Sequence, residues 1–582
     1  METKTVIDAI NGDIPFDLVI RNVQLVNVIT REIYESEIGI INGKIGHVNQ
    51  PGDESLEAKE IYDAKGMYAI PGLIDTHIHT ESTMMTMNNV AEALLIHGTT
   101  TIACDPHEIA NVMGVDGVKY IIESSKHTPL MTYVLAPSCV PSVVGLETSG
   151  AAFLRKEIKE ILEMDNVIGL GEVMDFTGVI NQSDRMVQIL EEARNHNAFL
   201  QGHAPMLTGR KLSSYLSTGI KSCHETSFAD EARYKLRAGM TVECRESSIM
   251  HDVKALAGVI KEFNYPENAT LCTDDREPDD LLSEGHLDHV IRAAMQEGIP
   301  AIEAIKMATF NSARLLGLED VGSLAPGKFA NIAIIENLDE IKVKDVFVKG
   351  KIVVKDSKLI EKIDAKTYPI QKINTVRLKE KPAIEDFRIK CSNNKAVINI
   401  MAYDKKVPII TKLDQVEVKT KNGYVDISND EDLAILTVFE RHGKNGNKKT
   451  GIVKNLGLTK GAIASTVSHD CHNLVVLGKN ESDMLIAADA LQKSGGGIVC
   501  VLDGKIEAMI ELPIAGLLSD KPIEELAEKT ALLKAKMREL GMVSSCLLLQ
   551  VATLSLPVIP EVRLSDCGLV EVNKKEIIPI VQ

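Results

Sequence analysis

A chain of 582 residues with 45% hydrophobic and 25% charged residues has the composition of an ordinary globular protein, and its length allows three or four domains, or fewer if one is a large barrel. The net charge of −18 argues against a general affinity for nucleic acid or an anionic membrane, and no apolar run approaches the roughly 18 residues that span a bilayer. The amino terminus METKTVIDAINGDIPFD lacks a basic-then-apolar signal pattern, and the ten cysteines form no CxxC pair, so a cytoplasmic protein with reduced thiols is expected.

From Phe16 to about Ile61 the chain reads as short β-strands, with Asn42-Gly43 as a hairpin signal between two alternating runs. A similar β-rich stretch returns at Gly322 to Leu338 and Val343 to Asp356. The economical reading is one small, discontinuous β-sandwich made of residues 1–66 and 320–364, with a domain of residues 67–319 inserted in it. That insert alternates strand and helix patterns, and eight candidate strands are legible. They start with MYAIPGLIDTHIH, TTTIACDPH, MTYVLAPSCV and VIGLGEVMD, and continue with AFLQGHAP, IKSCHET, MTVECRES and ATLCTDD. Eight apolar strands with helical crossovers predict an α/β fold of the (β/α)₈ TIM-like barrel type, with function at the carboxyl ends of the strands. Past about Asp364 a Lys/Glu-rich connector leads to residues 380–582, read as a C-terminal α/β domain.

The strand ends carry the chemistry. His77 and His79 stand at i and i+2, so on a strand both imidazoles project from one face and can reach one metal ion. Asp105 and His107 follow the second strand, Glu172 closes the fourth, His203 the fifth, His224 the sixth and Asp274 the eighth. Six such ligands exceed the needs of one open tetrahedral site and suit two ions. The expected assignment gives one ion His77, His79 and Asp274, and the other His203 and His224, with Glu172 between them. Asp274, Glu172 and His224 form the expected catalytic set, with Asp274 taking the nucleophile's proton and passing it to a leaving amine. Glu243 and Glu246, at the seventh strand, read as structural support. His469, Asp470, Cys471 and His472 read as a domain contact or pocket rim rather than a metal cluster. The glycines Gly495 to Gly497 open a strand, which makes a phosphate cradle a poor reading.

The motif set PGLIDTHIH, GHAP, SCHE and TDD resembles the amidohydrolase superfamily. More closely, IDTHIHTESTMM, GTTTIACDPHEIANVMG, GEVMDF and SEGHLDHVIRAA resemble the bacterial-type adenine deaminases, and SHDCHNLVVLG and GGGIVCVLDGKIEAMIELPIAGLLSD resemble that family's carboxyl-terminal domain. The resemblance runs from about Asp17 to the end. It implies hydrolysis of adenine to hypoxanthine and ammonia, in purine salvage, by a hydroxide bridging two divalent metals. Mn²⁺ or Fe²⁺ is the expected pair, with Zn²⁺ as the alternative. Many amidohydrolases bridge their ions with a carboxylated lysine on the fourth strand; GLGEVMD has none, which leaves Glu172 as the bridge. The HxE and PCxxC signature of cytidine-type deaminases is absent. For holding the purine, the candidates are Glu81 and Ser82 after the first strand, Asp105, His107 and Glu108 after the second, and Ser283, Glu284 and His286 after the eighth. Adenine and water are the expected partners, with a homo-oligomer, in the simplest case a dimer, and neither nucleic acid nor membrane. The competing readings are a cyclic-amide hydrolase of the hydantoinase or dihydroorotase kind and a non-catalytic metal-binding barrel.

Overall fold

The computed structural model describes residues 2–363, 365–404, 410–428 and 430–582; Asp364, the expected end of the β-domain, lies outside them. The insert is a barrel of eight parallel strands: Leu73–Ile78, Thr99–Cys104, Met131–Pro137, Val167–Val173, Phe199–Gly202, Ser222–Cys223, Thr241–Arg245 and Ala269–Cys272. The first five pair in sequence as one parallel sheet and the last three as another. Lys221 N donating to Leu200 O (3.0 Å) links fifth to sixth, and Asp274 N donating to His77 O (3.0 Å) links eighth to first, which closes the ring. Strands such as Thr99–Cys104 are buried along their whole length because helices cover the outside and side chains fill the inside. Helices including Arg155–Leu162, Asp184–Asn195 and Val253–Glu262 supply that cover through their apolar faces.

The β-domain that flanks the barrel is built from both chain segments, its nine strands hydrogen-bonded as one continuous sheet that curls over a shared core. Phe16–Asn27 lies near its centre, paired with Glu32–Ile41, Ala58–Asp63 and Tyr68–Pro71, and Tyr68–Pro71 pairs with Ile332–Ile335. The sheet curls until Lys44–Val48 meets the returning chain, with Ile45 N donating to Lys328 O (2.8 Å) and Ala330 N to Gly43 O (2.9 Å). Pro71-Gly72 is the junction where the chain leaves this sheet and enters the first barrel strand. A Cβ on Gly72 would stand 2.3 Å from Thr100 Oγ1, so only glycine lets the first and second strands come together at the turn that aims His77 and His79.

Beyond the connector, a second nine-stranded sheet forms, antiparallel except where Lys395–Tyr403 pairs with Lys448–Lys454. Helices Glu481–Ser494 and Ile523–Glu539 accompany it. This β-rich domain is fastened over the open end of the barrel. Thr148 N donates to Asp566 Oδ1 (2.9 Å), Asn473 Nδ2 to Thr148 O (2.9 Å), and Ser519 N to Met84 O (2.8 Å). Lys534 on the helix Ile523–Glu539 reaches Glu277 Oε2 (2.5 Å) and Asp279 Oδ2 (2.8 Å) in the segment after the eighth strand. All ten cysteines are free and eight are buried, as small apolar side chains in the cores. Among the described residues no helix is long and apolar enough to cross a membrane.

Candidate metal centre and active-site cavity

His77 and His79, from the first strand, meet His203, His224, Glu172 and Asp274 at the carboxyl end of the barrel, all but the partly buried His203 fully buried. His77 Nε2 and His79 Nε2 lie 3.1 Å apart, and Asp274 Oδ1 stands 3.5 Å from the first and 3.3 Å from the second. On the other side, His203 Nδ1 is 2.5 Å and His224 Nε2 3.0 Å from Glu172 Oε2. The other oxygen, Oε1, is 3.7 Å from His79 Nε2. Glu172 therefore offers one oxygen to each histidine pair, as a bridging carboxylate must.

The protonation pattern fits cations. His77 Nδ1 faces Gln201 Oε1 (2.7 Å) and His79 Nδ1 faces the Asp105 carbonyl (2.9 Å). Both acceptors require a proton on Nδ1, so in the neutral rings both Nε2 lone pairs point at each other. Two lone pairs at that separation repel unless a proton or a metal ion lies between them. Gln201 is itself fixed, donating to Thr76 O (2.8 Å) and Glu243 Oε1 (3.0 Å), so Glu243 supports His77 from behind through Gln201. Groups of three ligand atoms close enough to share an ion include His77, His79 and Asp274; His77, Glu172 and His224; and His79, His107 and Glu172.

Burial alone would raise the Glu172 carboxyl, yet His203 and His224 hold it well below the usual carboxylate range. His203 is pushed up to about 9: burial works against its charge, and the adjoining Glu172 outweighs it. His224 falls to about 4 through burial and its neighbour His77, whose ring stacks on it at 3.7 Å. Asp274 is held far below its ordinary value despite burial, by His77, His79 and Arg245. The cluster thus keeps both carboxylates ionised, which is what metal ligation needs.

Arg245, at the end of the seventh strand, went unmarked in the sequence. Its Nη1 donates to Asp274 Oδ2 (2.7 Å) and to Glu225, and its Nε to Asp252 Oδ2 (2.9 Å). It pins one oxygen of Asp274 and leaves the other toward His77 and His79. An arginine among acidic residues at a strand end was the available signal.

A cavity of about 520 Å³ opens over these groups. His79, His107, Glu172, His203, His224, Arg245, Asp274 and Asp275 line its floor, and Met174, Phe176, Leu549, Leu556 and Ile559 are among its apolar walls. The C-terminal domain supplies His469, Asp470 and the segment from Leu549 to Pro560, so the cluster His469 to His472 does reach the pocket rim.

The residues expected to hold the purine divide. His107 lines the cavity, with Nδ1 3.7 Å from Glu172 Oε1. Asp105 sits beneath and accepts from the Glu172 backbone N–H, fixing the position of Glu172. Ser82 donates to Asp275 Oδ1 at the cavity edge. Glu81 accepts from Ile109 N (3.1 Å), and Glu108 lies 3.4 Å from His469 Nδ1, both buried just behind the rim. Ser283, Glu284 and His286 are not among the described residues lining the cavity. The chain after the eighth strand turns into the helix Pro278–Glu284, which carries Ser283 and Glu284 out to the surface, where Glu284 pairs with Arg276 (3.0 Å). His286 turns back into the barrel wall, with Nδ1 2.8 Å from Thr99 Oγ1 and Nε2 3.3 Å from Asp75 Oδ2.

Residues 68–353 match the model of the amidohydrolase family, and residues 408–576 that of the adenine deaminase C-terminal domain. An adenine deaminase of Clostridium botulinum (strain 657 / Type Ba4) is 38% identical over 582 residues, covering 99% of this chain and 97% of that protein. Adenine deaminase 2 of Carboxydothermus hydrogenoformans is 38% identical, covering 99% of both chains, and the adenine deaminase of Moorella thermoacetica is 37% identical, covering 100% of this chain and 98% of its own. With its whole length matched by such relatives, the chain belongs to the adenine deaminase family.

Proposed function

We propose that this protein hydrolyses adenine to hypoxanthine and ammonia, using two divalent ions held by His77, His79 and Asp274 on one side and His203 and His224 on the other, with Glu172 shared. The convergence of two histidine pairs on the two oxygens of Glu172, at the floor of the cavity, carries the reading. Nitrogen and carboxylate ligands suit manganese or ferrous iron, with zinc as the alternative. Divalent ions supply Lewis acidity: they let water ionise near neutral pH and draw charge from the amidine under attack.

The reaction forms a C6–O bond and breaks the C6–N6 bond of the purine; of the two protons of water, one ends on the ring nitrogen N1 of hypoxanthine and the other must reach the departing amine. Asp274 is placed to carry it, with Oδ1 beside His77 and His79 and Oδ2 held by Arg245. A fixed carboxylate transfers a proton without first searching for its position. The apolar walls exclude bulk water, which strengthens every charge interaction on the floor. His107 and Asp275 are close enough to the floor to meet the ring edge. In purine salvage such a step returns adenine to the hypoxanthine pool.

The test is an assay of the Mn²⁺-loaded protein with adenine, hydantoin and dihydroorotate. Stoichiometric ammonia and hypoxanthine from adenine alone is the expected result. Ring opening of either cyclic amide with no ammonia from adenine would overturn the assignment.

A further inference from the structure

The loop Ser468 to His472 comes from a domain separate from the barrel, yet it places charged groups against the cavity floor. Asp470 is 2% exposed and lines the cavity. Its Oδ2 has no hydrogen-bond partner, and neither ring nitrogen of the buried His107 opposite has one. Asp470 Oδ1 stands 3.9 Å from His107 Nε2, beyond hydrogen-bonding distance. Buried polar atoms without partners are rare in folded proteins, and beside a cavity they mark where a ligand supplies the partner.

The loop is held in place rather than draped. Ser468 N donates to His472 Nδ1 (3.1 Å), His469 N to Ala552 O (2.9 Å), and His442 Nε2 lies 2.8 Å from the Cys471 carbonyl. Ser468 Oγ and Ser555 Oγ are 2.6 Å apart, and buried Arg441 donates to the His472 carbonyl. An acceptor seated so firmly is pre-organised for a donor of fixed position.

Adenine offers N–H donors at two places only: the exocyclic amine and the single imidazole-ring N–H, which moves between N7 and N9. The amine must face the ions. We propose that Asp470 accepts a hydrogen bond from the imidazole-ring N–H, and so selects the free base against any purine substituted on that ring, nucleosides included. This rests on the adenine reading above. It makes the C-terminal domain part of the substrate site, with Asp470 as a specificity residue rather than a metal ligand.

The experiment compares adenine with 9-methyladenine and 7-methyladenine, neither of which has an imidazole N–H, in the wild type and in Asp470→Ala. In the wild type, both methylated bases are expected to lose at least about 100-fold in kcat/KM. In Asp470→Ala, the KM for adenine is expected to rise at least about tenfold with a much smaller change in kcat, and the preference for adenine over the methylated bases to fall at least about tenfold. Elemental analysis should find both ions retained. An unchanged preference in a folded, metal-replete Asp470→Ala overturns the inference. So does a wild type that turns over both methylated bases within about threefold of adenine, a comparison that stands even if the variant fails to fold. A metal-loaded wild type that releases no ammonia from adenine would instead sink the functional reading, and this inference with it.

Discussion

Glu172→Gln is expected to lose at least one of the two ions and to lower kcat/KM for adenine by about 10³-fold, the scale on which a missing electrostatic element of a site acts. Glutamine keeps the shape but has one carbonyl oxygen and an NH₂ that repels a cation, where Glu172 presents an oxygen to each histidine pair. The loss has a second part. Glu172 is the carboxylate that does most to draw positive charge onto His203, and without it the nearest anions left are Asp274 beside His77 and His79 and Glu225 beside His203 and His224. Elemental analysis of the purified variant measures the outcome directly. Two full equivalents of metal in Glu172→Gln would remove it from the bridge.

Asp274→Asn is expected to part binding from turnover. Turned with its amide oxygen toward His77 and His79, asparagine keeps a ligand atom there and both ions should remain, at the cost of the Arg245 contact, where its NH₂ replaces an acceptor. Yet an amide cannot accept and release a proton at neutral pH, and kcat should fall by about 10²- to 10⁴-fold, the range for loss of a general acid–base group. KM for adenine should change little, because the ring-edge contacts lie elsewhere. Arg245, bound to the far oxygen of Asp274 at 2.7 Å, sharpens the expectation: it fixes which oxygen is free to move the proton. Appreciable activity in Asp274→Asn at full metal content would take proton transfer away from this residue.

The barrel, and the gathering of six candidate ligands at one rim, were legible because two periodicities coincide in them. Apolar runs of strand length recur between amphipathic helices, and nearly every run ends in a residue type that can bind metal; His77, His79, Glu172, His203, His224 and Asp274 all lie where a parallel barrel puts its open end. Glu172 was the easiest to assign, since its strand has no lysine to take the bridging place. The N-terminal strands were legible one by one, but their closure into a single curled sheet was not, since it depends on Lys44–Val48 meeting residues 327–330, a contact no local pattern announces.

What lies beyond the strand ends was harder to read, for a physical reason. Strand alternation fixes which way a side chain points, and a loop has no such rule. Ser283, Glu284 and His286 sit a few residues past a ligand strand, but the helix Pro278–Glu284 and the turn after it send them to the surface and the barrel wall. Glu81 stops short of the cavity because the Ile109 N–H takes up its carboxylate, and Glu108 lies behind the rim beside His469. Asp470 comes from a separate domain, and only the docking of that domain, through contacts such as Lys534 with Glu277 and Asp279, brings it to the cavity.

The most direct test of the two-ion centre is a titration of the chelated protein with Mn²⁺, following ammonia release from adenine at each addition. Activity should climb to its plateau at two equivalents per chain, with both ions recovered by elemental analysis after desalting. A plateau at one equivalent, or turnover that needs no added metal, would contradict a centre built on Glu172 between two histidine pairs.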